Sequence, residues 1–148
     1  MSMILAKHIL TVYNKVTGVF VPPFPPSESW QRTIIKFAQW EDQTDLNANG
    51  DGRNTVDKHI SIIIPKNANT QGRKYLSPTE WNKLTNGEQS KYWALIIGST
   101  YIALGETPEI TSSLTISQLQ SQYKSCVVSA AEDLTIQPIL PHIEVIGI

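Results

Sequence analysis

The most regular apolar run of this 148-residue chain lies near its middle, at residues 58–65. Four isoleucines stand within five consecutive positions, 60–64. Branching at Cβ restricts χ1 and favours a pleated strand over a helix. Pro65 lacks a backbone N–H and therefore closes the strand. The pattern predicts a stiff central strand between the two longest polar stretches of the chain, residues 41–57 and 66–77.

Alternating and continuous apolar runs predict further strands on both sides of the central one. In residues 30–40, the even-numbered side chains are expected on one face and the odd-numbered ones on the other. Gly98-Ser99 predicts a tight hairpin between two of the strands, and Glu132-Asp133 predicts a turn. The complete set of predicted strands spans residues 8–14, 30–40, 58–65, 92–97, 100–104, 126–130 and 139–146.

Two short helices are expected among these strands. Ser77 is placed to cap the first helix, Pro78 suits its first position, and Glu80 follows the cap by three residues. That helix is expected to run to about Leu84, and a second is expected within residues 113–122, with Leu114, Leu119 and Tyr123 facing the core. The chain is thus predicted to be one mainly β domain, residues 1–148. We expect a small β-barrel or sandwich of six to seven strands with one or two short helices and long loops.

The composition of the chain argues against several classes of protein. With 12 basic and 13 acidic side chains, the formal net charge is −1, which does not suggest a general nucleic-acid binder. The single cysteine, Cys126, excludes an internal disulfide framework and a cysteine-rich zinc site, and we expect it to be a small buried apolar residue. The N-terminal apolar run is too short for a signal peptide, and no segment is long enough to span a membrane. We expect a soluble protein made in a cytoplasm.

Residues 19–26 form a proline-rich segment with four prolines in five positions. Such a segment cannot be helical and favours an extended, polyproline-like conformation. A simple spacer and a ligand for an aromatic groove are alternatives. We favour an arm that contacts a neighbouring subunit, because its phenylalanines would otherwise be exposed to water. The predicted contact residues of this arm are Phe20, Pro22, Pro23 and Phe24.

Within the polar stretch 41–57, the residues from Asp45 onward resemble the start of a calcium-binding loop. Alternating Asp and Asn oxygens followed by a glycine are what a hard cation needs. Counted from Asp45, however, position twelve is Val56, and counted from Asn47 it is Lys58, so the closing carboxylate is missing. We therefore expect a solvated long loop and no metal site.

No residue pattern indicates an enzyme or a cofactor. The three histidines show no metal-ligand spacing, and neither a nucleophile elbow nor a glycine-rich phosphate loop is present. The polar loop after the central strand is mildly basic, since it contains Lys66, Arg73 and Lys74. These side chains suit contacts with phosphates that do not depend on base sequence. Of the two interpretations, an ordinary polar loop is slightly favoured over phosphate contacts.

The order of several short segments resembles a known family. Thr-Val-Tyr-Asn-Lys at 11–15 is followed by Trp-Gln-Arg-Thr-Ile-Ile-Lys at 30–36, leading into Trp40. An Asp-led strand at 57–65 ends in Ile-Ile-Pro, then come Arg-Lys-Tyr-Leu-Ser-Pro at 73–78 and Leu-Pro-His-Ile-Glu-Val-Ile-Gly at 140–147. Over almost the whole chain, this order resembles the small minor capsid, or head-closure (stopper), proteins of tailed bacteriophages.

The resemblance implies a small β-barrel that assembles as a ring of its own copies between the portal or adaptor and the tail. Its location would be the head–tail junction of the virion, and the host cytoplasm before assembly. In that family, the long loop after the second strand projects into the channel and helps to retain packaged DNA. By position, the loop is 41–57 here, with Asp45, Asn47, Asn49, Asp51 and Arg53 as its channel residues.

Two parts of the chain depart from the family pattern, the proline-rich segment and the region 77–92. A tail-completion protein or another neck protein is therefore an alternative. The residues alone also allow a different class, a small monomeric barrel that binds nucleic acid or a peptide.

Overall fold

The computed structural model describes residues 7–17, 28–48, 54–84, 88–111 and 113–148. Its strands are β1 (His8–Thr17), β2 (Glu28–Ala48), β3 (Asn54–Pro65), β4 (Lys74–Tyr75), β5 (Tyr92–Trp93), β6 (Tyr101–Leu104), β7 (Ser125–Leu134) and β8 (His142–Gly147). The helices are α1 (Pro78–Asn82) and α2 (Ile116–Gln122), and Glu88–Lys91 form one 3₁₀ turn. None of the helices in these ranges is long and apolar enough to cross a membrane.

Six of the strands close into an antiparallel barrel in the order β1-β2-β3-β8-β7-β6, and β4 and β5 form a separate two-stranded sheet. The predicted mainly β fold, a small barrel with two short helices, is confirmed. Closure pairs the wall strands with neighbours on both sides, which removes the exposed edges that an open sheet would have.

Two strands, β2 and β7, pass from one half of the barrel wall to the other. β2 pairs with β1 up to Ala38 and with β3 from Gln39 onward. β7 pairs with β6 up to Val127 and with β8 from Val128 onward. Each strand has a register shift within two residues of this exchange. A bulge bends a strand sharply, so each shift lies where the strand must turn the corner between sheets.

The bulge in β2 changes which side chains enter the core. Phe37 has no partner in the register between β1 and β2, has a φ of 68°, and is 60% exposed. The extra residue moves the later positions by one, so Ile35, Ala38 and Trp40 all belong to one buried cluster. The prediction of strict alternation from 30 to 40 is therefore wrong beyond Lys36.

The barrel core combines residues from most of the wall strands, and a second, smaller cluster lies beneath α2. The core is built from Leu10, Val12, Ile35, Ala38, Trp40, Ile62, Ile64, Trp93, Leu95, Ile102, Cys126, Val128, Ile143 and Val145. In the second cluster, Leu119 of α2 is buried with Tyr13 and Ala103, and Leu114 and Tyr123 pack against them. The predicted second helix and its core face are thus confirmed.

Several local predictions are also confirmed. β3 ends at Pro65, as its missing N–H requires. Ser77 caps α1, where its hydroxyl accepts a hydrogen bond from the Glu80 N–H at 3.3 Å. Cys126 is 1% exposed and has no disulfide partner.

One hairpin prediction and one turn prediction are wrong. β5 and β6 do not pair across Gly98-Ser99, because β5 pairs in parallel with β4 and the chain leaves the strand conformation after Trp93. The turn itself is present, since the Thr100 N–H donates to the Ile96 carbonyl at 2.9 Å. Glu132 and Asp133 lie within β7 rather than in a turn, because β7 continues in register with β8 as far as Leu134.

Candidate functional site

The longest strand, β2, extends well past the barrel wall together with β3. The two strands stay in register from the pair Gln39 and Ile63 to the pair Ala48 and Asn54. β1 stops pairing with β2 at Ala38, and β8 pairs with β3 only from Ile60 onward. Residues 41–48 and 54–59 therefore form a two-stranded extension, called the ribbon below. From residue 59 to residue 54 it spans about 17 Å, at roughly 3.4 Å per residue.

The ribbon replaces most of the long loop that the sequence predicts. Asp45 lies opposite Asp57 and Asn47 lies opposite Thr55 in an antiparallel ladder, so the prediction of a loop over 41–57 is wrong for 41–48 and 54–57. The ladder between β2 and β3 therefore runs through a mainly polar stretch of the sequence. The other predicted channel residues, Asn49, Asp51 and Arg53, fall outside the described ranges. So do the predicted arm residues, Phe20, Pro22, Pro23 and Phe24.

Side chains hold the base of the ribbon to the barrel. His8 Nδ1 accepts a hydrogen bond from the Trp40 N–H at 2.9 Å, where β1 no longer pairs with β2. Gln43 Oε1 and His59 Nε2 lie 2.8 Å apart across the two strands. Asp42 forms an ion pair with Lys124, which precedes β7. Both partners of that ion pair are about half exposed, so it orients the base more than it stabilises the fold.

Beyond its base, the ribbon has no further strand on either edge within the described part of the chain. The edges of such a pair carry backbone N–H and C=O groups suited to pairing with another chain. An isolated two-stranded ribbon is only marginally stable in water. The arrangement is therefore suited to contacts outside its own barrel.

A groove at the other end of β3 is the second candidate surface. It begins at the turn Thr70–Arg73, in which Gln71 and Gly72 have successive positive φ angles of 58° and 76°. Two positive φ angles in a row are typical of a type I′ turn, and the Arg73 N–H donates to the Thr70 carbonyl at 3.1 Å. The turn directs the Arg73 side chain back towards β2.

The Arg73 guanidinium is held by three hydrogen bonds. Nη1 donates to the Arg32 carbonyl at 2.6 Å and to Thr33 Oγ1 at 2.8 Å, while Nε donates to the Ser90 carbonyl at 3.0 Å. Burial, and then the nearby Arg32 charge, lower the pKa of Arg73. The guanidinium remains charged near neutral pH, because an arginine side chain is effectively always protonated in proteins.

The groove contains three cations and no carboxylate among its lining residues, which are Gln71, Gly72, Arg73, Lys74, Ser90, Lys91 and Tyr92. Of the predicted phosphate contacts, Arg73 and Lys74 therefore lie together. Lys66 lines an adjoining pocket that also contains Asp133. Sequence analysis missed Lys91, because only the parallel pairing of β4 with β5 brings it beside Lys74.

Two further polar side chains in the interior, Tyr13 and Thr11, have structural partners, whereas Trp40 Nε1 is buried without a hydrogen-bond partner among the described residues. The Tyr13 hydroxyl contacts Thr107 Oγ1 and donates to the Pro108 carbonyl at 2.6 Å, and burial raises its pKa. Thr11 Oγ1 donates to the Gly105 carbonyl at 2.6 Å and accepts from the Thr107 N–H. These bonds fasten the segment after β6 to the barrel. In the described ranges, no three His, Cys, Asp or Glu side chains are grouped so as to hold a metal ion.

Comparison with known proteins gives one match. The model of a family of unknown function (DUF6751) matches residues 5–148, which include the barrel, the ribbon and the groove. No curated protein matches the chain. No solved structure matches it either. The description of the family states no activity.

Proposed function

Because the chain belongs to this family of unknown function, DUF6751, we propose its function from its architecture: it is a structural protein of the tailed-bacteriophage neck. In this proposal, copies of the chain form a ring that joins the portal or adaptor to the tail and helps to retain packaged DNA. The protein acts without catalysis. The observation that carries the proposal is the ribbon, residues 41–48 with 54–59, which extends about 17 Å beyond the neighbouring strands.

The geometry suits a subunit that contributes one projection to a shared channel. A closed barrel is a stiff body, and β2 runs from the barrel wall into the ribbon without interruption over 21 residues. In a ring, ribbons from successive subunits would converge and narrow the central passage. Their free edges offer backbone partners to each other, which compensates for the marginal stability of one ribbon alone.

The charge of the ribbon suits a structure that obstructs DNA better than one that binds it. Its β2 strand carries Glu41, Asp42 and Asp45, while β3 contributes Asp57 and Lys58. Affinity for DNA rises with the number of phosphates that a protein neutralises. An acidic ribbon therefore obstructs DNA without holding it, which leaves the genome free to pass when the neck opens.

A tail-completion protein or another neck protein remains the nearest alternative within this proposal. Both would contain a small barrel in a ring, and they differ in their position along the neck. A density map of the head–tail junction, with this chain fitted, distinguishes these positions directly. A second candidate function, a monomeric barrel that binds nucleic acid, is favoured by the groove around Arg73.

The deciding experiment shortens the ribbon in a phage genome that encodes this chain. Residues 44–58 are replaced by Asn-Gly, which joins Gln43 to His59 through a two-residue turn. The matched control keeps the ribbon at full length and changes only its charge, as Asp45→Asn with Asp57→Asn. Particles are counted by electron microscopy, and packaged DNA is measured by nuclease protection.

We expect the short-ribbon particles to assemble heads and tails but to lose their DNA, and the control particles to retain it. The pairings of β2 with β1 and of β3 with β8 lie outside the replaced segment, so the barrel should fold in both variants. Normal genome retention with the short ribbon would disprove gating and leave a connecting role. Absence of the chain from purified virions would overturn the proposal as a whole.

A further inference from the structure

We propose that the groove lined by Arg73, Lys74 and Lys91 binds a phosphate group, carried by a nucleic-acid backbone or free in solution. The inference does not depend on ring assembly or on the ribbon. It follows from three features of the groove: a positioned guanidinium, two further cations, and the absence of a carboxylate among the seven lining residues.

Arg73 is the positioned group. Its Nε and Nη1 atoms donate to Ser90, Arg32 and Thr33, whereas no group within the described residues accepts a hydrogen bond from Nη2. In this proposal, the two N–H groups of Nη2 contact the ligand. A side chain that is already fixed loses little conformational entropy on binding. Guanidinium hydrogen bonds to phosphate oxygens are also charge-assisted, and therefore stronger than those between neutral groups.

Lys74 and Lys91 supply the remaining charge. Lys74 opens β4 and pairs with Tyr92 of β5, so Lys91 stands one residue away from this pair. Both lysine residues are exposed. Asp133 lines the adjoining pocket together with Arg73 and Lys74, and Glu88 begins the 3₁₀ turn, but among the described residues neither carboxylate lines the groove itself. An anion in the groove therefore meets three positive charges.

The turn at Gln71-Gly72 leaves the groove open. Gly72 has a φ of +76°, and a Cβ placed there would meet no atom within 4 Å. The Gln71 side chain is directed away to β2, where its Oε1 accepts from the Ile34 N–H at 3.0 Å. A phosphate can therefore approach the turn without displacing either residue.

Binding to a 20-bp DNA duplex of random sequence, measured by fluorescence anisotropy across a KCl series, tests the groove. The groove variant combines Lys74→Gln with Lys91→Gln. The control variant combines Lys58→Gln on the ribbon with Lys83→Gln at the C-cap of α1. Each pair changes the formal net charge from −1 to −3, so only the position of the lost charges differs.

We expect the groove variant to bind about 10-fold or more weakly than the wild type at 50 mM KCl. Its log–log salt slope should be shallower by about 1.8, since each neutralised phosphate contributes about 0.9. The control should retain the wild-type slope. Equal losses in the two variants would overturn the proposal, because they would show a response to net charge alone.

A titration with inorganic phosphate, followed by NMR of backbone amides, distinguishes the two sources. Shifts confined to residues 71–74 and 90–92, with no binding of the duplex, would indicate a free phosphate or small phosphate ester. Duplex binding without those shifts would indicate a nucleic-acid backbone, which engages several phosphates together. Both responses would support a general phosphate site. If neither the duplex nor inorganic phosphate binds the wild-type protein, the proposal is wrong.

Discussion

At the scale of single residues, Asn14 shows how one side chain can replace a strand partner. Its Nδ2 donates to the Ala94 carbonyl at 2.7 Å, and its Oδ1 accepts from the Ala94 N–H at 3.2 Å. The amide thus satisfies both backbone groups of a buried residue, as a neighbouring strand would. This pair fixes the chain between β5 and β6, where no regular strand forms.

Replacing Asn14 with Ala is therefore expected to reduce the free energy of unfolding by about 2–4 kcal/mol, because two buried backbone groups lose their partners. Urea unfolding followed by circular dichroism measures this loss. The control is Asn67→Ala, since Asn67 is exposed and should change stability by less than about 0.5 kcal/mol. A similar small effect at both positions would contradict the role assigned to Asn14.

Cys126 provides a second test at this scale. Burial, followed by the charge of Asp42, raises the pKa of its thiol from 9.0 to about 12. At pH 8, the folded protein should therefore react with a thiol reagent far more slowly than the urea-unfolded chain, since the thiolate is the nucleophile. The raised pKa stabilises the fold fully below about pH 9, and this contribution is lost as the pH rises towards 12. Equal rates for folded and unfolded protein would contradict the burial.

At the scale of elements, the bulges explain how short strands close into a barrel. β2 and β7 each change partners near a register shift, and each shift bends its strand between the two halves of the wall. In β2, this requires a positive φ at Phe37, a conformation that bulky side chains adopt only with strain. The Phe37 ring is exposed in the isolated chain, so no burial of the ring compensates for that strain.

Substitutions at Phe37 should follow backbone preference rather than hydrophobicity. Phe37→Asn is expected to be neutral or to stabilise by up to about 1 kcal/mol, because Asn tolerates positive φ. Phe37→Val is expected to destabilise by about 1–2 kcal/mol, since branching at Cβ increases the strain. Thermal and urea unfolding of the two variants provide the comparison. Greater stability of the Val variant would show that the bulge is absent in solution.

At the scale of the whole molecule, the two candidate surfaces lie at opposite ends of β3. The ribbon precedes Ile60, and the groove follows the end of the strand at Pro65. Because the barrel between them is closed, the unpaired strand edges of the barrel sheet lie in the ribbon, within the described residues. In the proposed assembly, strand pairing takes place at the ribbon end of the molecule, and the groove at the other end stays open to anions.

The isolated chain is accordingly expected to be a monomer. A single marginal ribbon gives weak self-association, and ring formation should need the surface of an assembled portal or adaptor to bring subunits together. Sedimentation velocity at micromolar concentrations measures the mass directly, and the short-ribbon variant serves as the monomeric reference. A stable ring of the isolated protein would contradict ordered addition to the neck.

The sequence by itself determined the features that depend on neighbouring residues. The four isoleucines and Pro65 define β3 and its end, Ser77 and Pro78 start α1, and the spacing around Leu119 buries one face of α2. The class of fold also follows from such patterns, because each strand must bury an apolar face. The burial of Cys126 was predictable from its apolar neighbours in the sequence alone.

Only the tertiary structure decided the features that depend on distant pairing. The ribbon arises because β2 and β3 continue to pair beyond their other neighbours, and a mainly polar stretch offers little apolar alternation from which to predict a strand. The bulge at Phe37 lets β2 bend between the two halves of the barrel wall. No local sequence pattern specifies where that bend occurs. The groove needs the parallel pair of β4 and β5 to bring Lys91 beside Arg73. Its chemistry therefore emerges from contacts between segments that are separate in the chain.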